Sequence, residues 1–79
     1  CEIGVQYSTD GGATWSGLDN GAAGSLSTST ISCDSAGDLV TTWSDINTDS
    51  QTDVWLRVAG TDTGVPDPTL GTVQVQFRS

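Results

Sequence analysis

The chain has 79 residues, a formal net charge of −8 and a pI near 4.1, and its only cations are Arg57 and Arg78. That balance argues against nucleic acid, whose affinity comes from Lys and Arg neutralising phosphates, and against anionic membrane surfaces. There is no His and no Lys, and the lone Glu2 lies at the N-terminus. The usual general base and amine nucleophile are therefore missing, and no enzyme is expected.

No stretch places apolar residues at helical spacing, and Gly, Ser, Thr and Asp interrupt every candidate. Period-2 segments bounded by turn residues run through the chain instead. Cys1 to Ser8 predicts the first strand, with Ile3, Val5 and Tyr7 on one face and Glu2, Gly4, Gln6 and Ser8 on the other. Asp10-Gly11-Gly12 follows as a hairpin turn, because both glycines accept positive φ. A second strand is expected from Ala13 to Leu18, anchored in the core by Trp15 and ended by the turn Asp19-Asn20-Gly21. Ala22 to Cys33 alternates Ser with Leu and Thr and predicts an edge strand with a thin apolar face.

After a turn at 34–38, Leu39 to Ile46 predicts a fourth strand with Leu39, Thr41 and Trp43 inward. Val54 to Gly60 is the clearest strand, with Val54, Leu56 and Val58 alternating with Trp55, Arg57 and Ala59. The loop from Thr61 to Thr69 is stiffened by Pro66 and Pro68, and Leu70 to Ser79 predicts the last strand, with Val73, Val75 and Phe77 inward. Six short strands with frequent turns make an all-β single domain over residues 1–79, expected to fold as a β-sandwich around Trp15, Trp43 and Phe77.

Val5 to Trp15 (VQYSTDGGATW) resembles the C–C′ hairpin of bacterial immunoglobulin-like and fibronectin type III-like repeats. Trp43 and the run from Val54 to Gly64 resemble their E and F strands with the F–G turn, and Thr72 to Arg78 resembles strand G. The resemblance implies an immunoglobulin-like β-sandwich of about six strands that lacks strands A and B. A sandwich of that kind exposes a groove and an open edge, which invite a strand from another chain. It implies an extracellular or cell-surface module that binds other copies of itself by strand addition and builds a fibre, filament or surface layer. The alternative is a monomeric carbohydrate- or protein-binding accessory domain of a larger secreted protein.

Smaller motifs complete the reading. Ser8, Asp10, Gly12 and Trp15 match the Asp-box pattern S-x-D-x-G-x-T-W, which resembles the hairpin turns of sialidase-like β-propellers. Seventy-nine residues cannot supply four blades, so the motif is expected to act as a turn brace. Asp45, Asn47, Asp49 and Asp53 have the spacing that opens an EF-hand loop and are the candidate calcium ligands. Ser50 replaces the required Gly and Leu56 the required Glu, so no EF-hand is expected; a solvated turn without a cofactor is the expectation, and a simpler calcium site is the alternative. Trp55 and Arg57 share a strand face outside the predicted core and are the candidate partner or ligand contact, or a cation–π pair.

Cys1 and Cys33 predict a disulfide, which suits an oxidising compartment. A bridge to another copy and a lipid-modified Cys1 are the alternatives. No apolar run approaches a membrane span, so no membrane insertion is expected. The Ser/Thr run from Ser25 to Ser32 would suit O-linked glycans, and no N-x-S/T sequon is present.

Overall fold

The computed structural model describes residues 1–46, 53–60 and 71–76. Among these the chain is all-β, with four antiparallel strands in one sheet: β1 (Glu2–Ser8), β2 (Ser16–Gly17), β3 (Ile31–Ser32) and β4 (Trp55–Gly60). The long strand β1 is central. One of its edges pairs with β4 through six residue pairs, from Ile3↔Gly60 to Ser8↔Trp55. The other edge is shared by two short strands, β2 at Gln6↔Gly17 and Tyr7↔Ser16, and β3 at Glu2↔Ser32 and Ile3↔Ile31.

A gap separates β2 from β3 along that second edge, and Val5 faces it. The Val5 carbonyl accepts from Leu18 N at 3.0 Å. The Val5 amide donates to Ser27 Oγ at 2.9 Å, and Ser27 Oγ in turn donates to Ser29 O at 2.7 Å. A serine hydroxyl thus stands where a third strand would supply a carbonyl, and the ladder leaves no orphaned donor at Val5.

The segment from Ala22 to Thr30 is not the edge strand that its alternation predicts. Only Ile31 and Ser32 form a strand, with an isolated bridge at Ser16↔Ala23. The rest folds as a loop across β1. Its hydroxyls and the Asn20 side chain offer the backbone local partners in place of a ladder. Ala22 N donates to Asn20 Oδ1 at 2.8 Å, Asn20 Nδ2 donates to Leu26 O, and Thr28 N donates to Asp19 Oδ1 at 2.8 Å.

The loop fits because two glycines flatten the surface beneath it. A Cβ on Gly4 would stand 2.7 Å from Leu26 Cβ, and one on Gly17 would stand 2.1 Å from Leu26 O. On that face of β1 Gly4, Gln6 and Ser8 are therefore buried and only Glu2 at its start is exposed, whereas on the apolar face Ile3 is buried and Val5 and Tyr7 are half-buried. Burial on the polar face is affordable because its groups are bonded. Gln6 Nε2 donates to Ser25 O at 2.9 Å, and Ser8 and Ser27 are engaged as well.

Two further predicted strands are corrected. Residues 39–46 contain no strand, and Trp43, expected in the core, is 50% exposed. Residues 71–76 are also outside any strand and exposed throughout, with Val73 at 61% and Val75 at 50%. Among the described residues the buried apolar side chains are Ile3 and Cys33, not the predicted trio. Trp15 is half-buried, and Phe77 lies outside the described residues. The covering segment from Ala22 to Thr30, with Leu26 as its one large aliphatic side chain, cannot enclose three aromatics.

The disulfide joins Cys1 to Cys33 within one chain, with Cα atoms 5.4 Å apart. It continues the β1–β3 pairing, where Cys33 N donates to Cys1 O at 3.1 Å. A covalent link at that point holds the short strand β3 in register where two residue pairs alone would not.

Candidate functional site

The most organised group of side chains lies at one end of the sheet, where the β1–β2 connection meets β4. Tyr7 pairs with Ser16, so the connection is wider than a two-residue hairpin and needs bracing. Ser8 and Asp10 supply the brace. Ser8 Oγ donates to Asp10 Oδ1 at 2.7 Å and accepts from Gly12 N at 2.9 Å. Asp10 Oδ1 accepts from Thr14 N at 3.0 Å, and Asp10 Oδ2 accepts from Thr14 Oγ1. Trp15 Nε1 closes the loop by donating to Gly12 O at 3.0 Å.

Gly11 and Gly12 have φ of 76° and 93°, which an L side chain adopts only with strain. Hydrogen bonds from Thr14 and then Ser8 hold the Asp10 carboxyl well below the usual carboxylate range. The four residues of the Asp-box pattern are thus brought into one hydrogen-bonded turn. Its geometry is that of a structural brace, since the side-chain oxygens of Ser8 and Asp10 are all bonded within the turn itself.

β4 lays Trp55 and Arg57 beside this turn. They share a face with Ser8 and Gln6, which they oppose across the ladder. The Arg57 guanidinium lies over the ring of Trp15, 4.1 Å from its centroid, so the cation–π partner is Trp15. Arg57 Nε also donates to Gln6 Oε1 at 2.9 Å. Trp55 rests against the turn, where a Cβ on Gly12 would come within 3.2 Å of its ring. It remains 49% exposed. Arg57, Trp15, Gly12 and Trp55 therefore form one continuous surface at the end of the sheet.

The acidic loop is only partly described. Asp45 and Asp53 are exposed, and Asn47 and Asp49 lie outside the described residues. Among the described residues no group of three or more His, Cys, Asp or Glu side chains is placed to hold a metal ion.

A second feature escaped the sequence reading. Asp19 and Asn20, read there only as a turn, organise the covering loop. Asp19 has a φ of 62°, and its Oδ2 accepts from Thr42 Oγ1 at 2.8 Å, which ties segment 39–46 to the sheet. Thr28 and, against slight desolvation, Thr42 lower the Asp19 carboxyl. The signal was the Asp-Asn-Gly triplet, whose side chains bond their own backbone. Beside it lies an open cavity of ≈ 380 Å³, walled by Tyr7 and Trp43 and edged by Asp19, Asn20 and Asp45.

Comparison of the chain with protein-family models, with curated proteins and with solved structures returned no match. The described residues contain no helix long and apolar enough to cross a membrane.

Proposed function

We propose that the chain is an extracellular, non-enzymatic structural module, an immunoglobulin-like β-sandwich unit that self-associates through β-strand contacts into a fibre, filament or surface layer. The observation that carries this reading is the state of β4. One edge of β4 is paired with β1 along its whole length, and among the described residues no strand pairs with the other. An unpaired edge presents a row of backbone donors and acceptors that another strand can satisfy.

That edge also carries apolar surface. Trp55 and Val58 are among the large exposed hydrophobic residues. Tryptophan and arginine are enriched at binding hot spots, and Trp55 and Arg57 are held there in fixed positions by the turn beneath them. The disulfide is consistent with an oxidising compartment.

The test is negative-stain electron microscopy with light scattering on the chain over a concentration series. Oligomers or filaments that grow with concentration are expected. A monomer of constant mass up to millimolar concentration would overturn the proposal.

A further inference from the structure

We infer that the strand received by the open edge of β4 is the segment 71–76 of a second copy of this chain. The inference rests on the self-association reading and names its partner. The segment Gly-Thr-Val-Gln-Val-Gln has strict period-2 alternation, which suits a strand with one apolar face. In the single chain it is not used as one, and all six of its residues are exposed. Val73 and Val75 are thus presented to solvent at the spacing of neighbours on one strand face.

The acceptor has the matching pattern. On β4, Leu56 and Val58 share one face, and Trp55, Arg57 and Ala59 share the other. A strand laid along the edge with Val73 and Val75 beside Leu56 and Val58 puts Thr72, Gln74 and Gln76 beside Trp55 and Arg57. Gln6 already makes that kind of contact from the opposite edge, where its amide oxygen accepts from Arg57. The donated segment repeats the Gln–Val alternation that β1 offers as Val5-Gln6.

Charge points to a second copy as well. Residues 54–60 and 68–79 hold no Asp or Glu, and both arginines of the chain lie within them, while the other segments carry all ten acidic residues. Donor and acceptor are therefore the parts of a −8 chain that can meet without bringing carboxylates together. The remaining repulsion between copies is long-range and screened, since the Debye length falls from about 10 Å at 0.1 M salt to about 3 Å at 1 M. The contact is heterologous, donor on one copy to acceptor on the next, and such contacts repeat into open chains unless they close.

The test combines two experiments on the full chain. In the first, the Val73→Asp/Val75→Asp variant is compared with the unaltered chain by sedimentation equilibrium. Its Kd for self-association is expected to rise about tenfold or more, with far-ultraviolet circular dichroism unchanged. Self-association of the unaltered chain that survives in the variant would overturn the inference and leave the self-association reading standing. An unaltered chain that never associates would remove both.

In the second experiment, Val58→Cys and Val75→Cys are made in separate copies, mixed in a glutathione redox buffer and resolved on a non-reducing gel. A mixed disulfide dimer is expected. The Val58→Cys/Val75→Cys chain is treated in the same way. If it closes on itself as a monomer in place of cross-linking between copies, the segment fills its own edge and the inference fails.

Discussion

Arg57 lies 4.1 Å above the ring of Trp15 while its Nε donates to Gln6 Oε1 at 2.9 Å. One side chain thereby joins the edge strand β4, the central strand β1 and the braced turn. Arg57→Leu is expected to lower stability by about 1–2 kcal/mol, through loss of an exposed cation–π contact and of a charged hydrogen bond that solvent screens. Arg57→Lys keeps the charge but not the planar stacking surface, and is expected to recover less than half of the loss. Urea denaturation followed by tryptophan fluorescence measures both.

The Asp10 brace predicts a pH dependence. The carboxyls of Asp10, Asp19 and Asp34 are all held low, chiefly by hydrogen bonds from Thr14, Thr28 and Ser32 respectively. A carboxyl lower in the folded than in the unfolded chain stabilises the fold fully above the unfolded pKa of about 3.9. That stability is lost as pH falls through the folded value. The melting temperature is therefore expected to be flat from pH 7 to pH 5 and to fall below about pH 4. Asp10→Asn should lower it at pH 7 and make the acid limb shallower. An acid limb identical in the variant and the unaltered chain would show that Asp10 contributes nothing to it.

Gly17 is fixed by the loop that crosses it. A Cβ there would stand 2.1 Å from the Leu26 carbonyl oxygen, a backbone atom that cannot swing away. Gly17→Ala is expected to cost about 1–3 kcal/mol through displacement of the covering loop. Gly21→Ala, where nothing lies within 4 Å but φ is 70°, should cost less. Hydrogen exchange at Val5, whose amide donates to Ser27 in that loop, reports the displacement directly.

Reduction of Cys1–Cys33 releases a loop of separation 32, worth about 3–4 kcal/mol on the chain-entropy model. With Ile3 and Cys33 the buried apolar residues among those described, a loss of that size is expected to unfold β3 and to leave the chain largely disordered at about 37 °C. Circular dichroism before and after dithiothreitol checks it.

The features legible in the sequence were those set by short-range pattern. Val5 to Thr14 dictated a strand and a glycine turn, and Val54 to Gly60 dictated a strand, because alternation and turn residues act over a few positions. The cysteine count pointed to a disulfide, and the structure closes it within one chain and not to another copy. What was not legible depended on long-range competition. Ser25 to Thr30 alternates like a strand, yet Ser27 serves better as a hydroxyl bonded to Val5, a choice set by the gap between β2 and β3. The placement of Arg57 over Trp15, with Trp55 beside Gly12, depended on a ladder register that the sequence does not encode locally. Trp43 looked like a core anchor on composition alone, but its segment is held by the Asp19–Thr42 bond at the surface.

Self-association at the open edge of β4 is tested most directly by sedimentation equilibrium of the chain at 0.1 M and 1 M NaCl. Screening weakens the repulsion between copies of charge −8, while a strand contact made of backbone bonds and valines is little affected by salt. The average mass is expected to rise with protein concentration, and to rise further at 1 M NaCl. A single species of monomer mass at both salt concentrations would contradict self-association, and an assembly that dissociates at 1 M NaCl would show that it is held by charge and not by strand pairing.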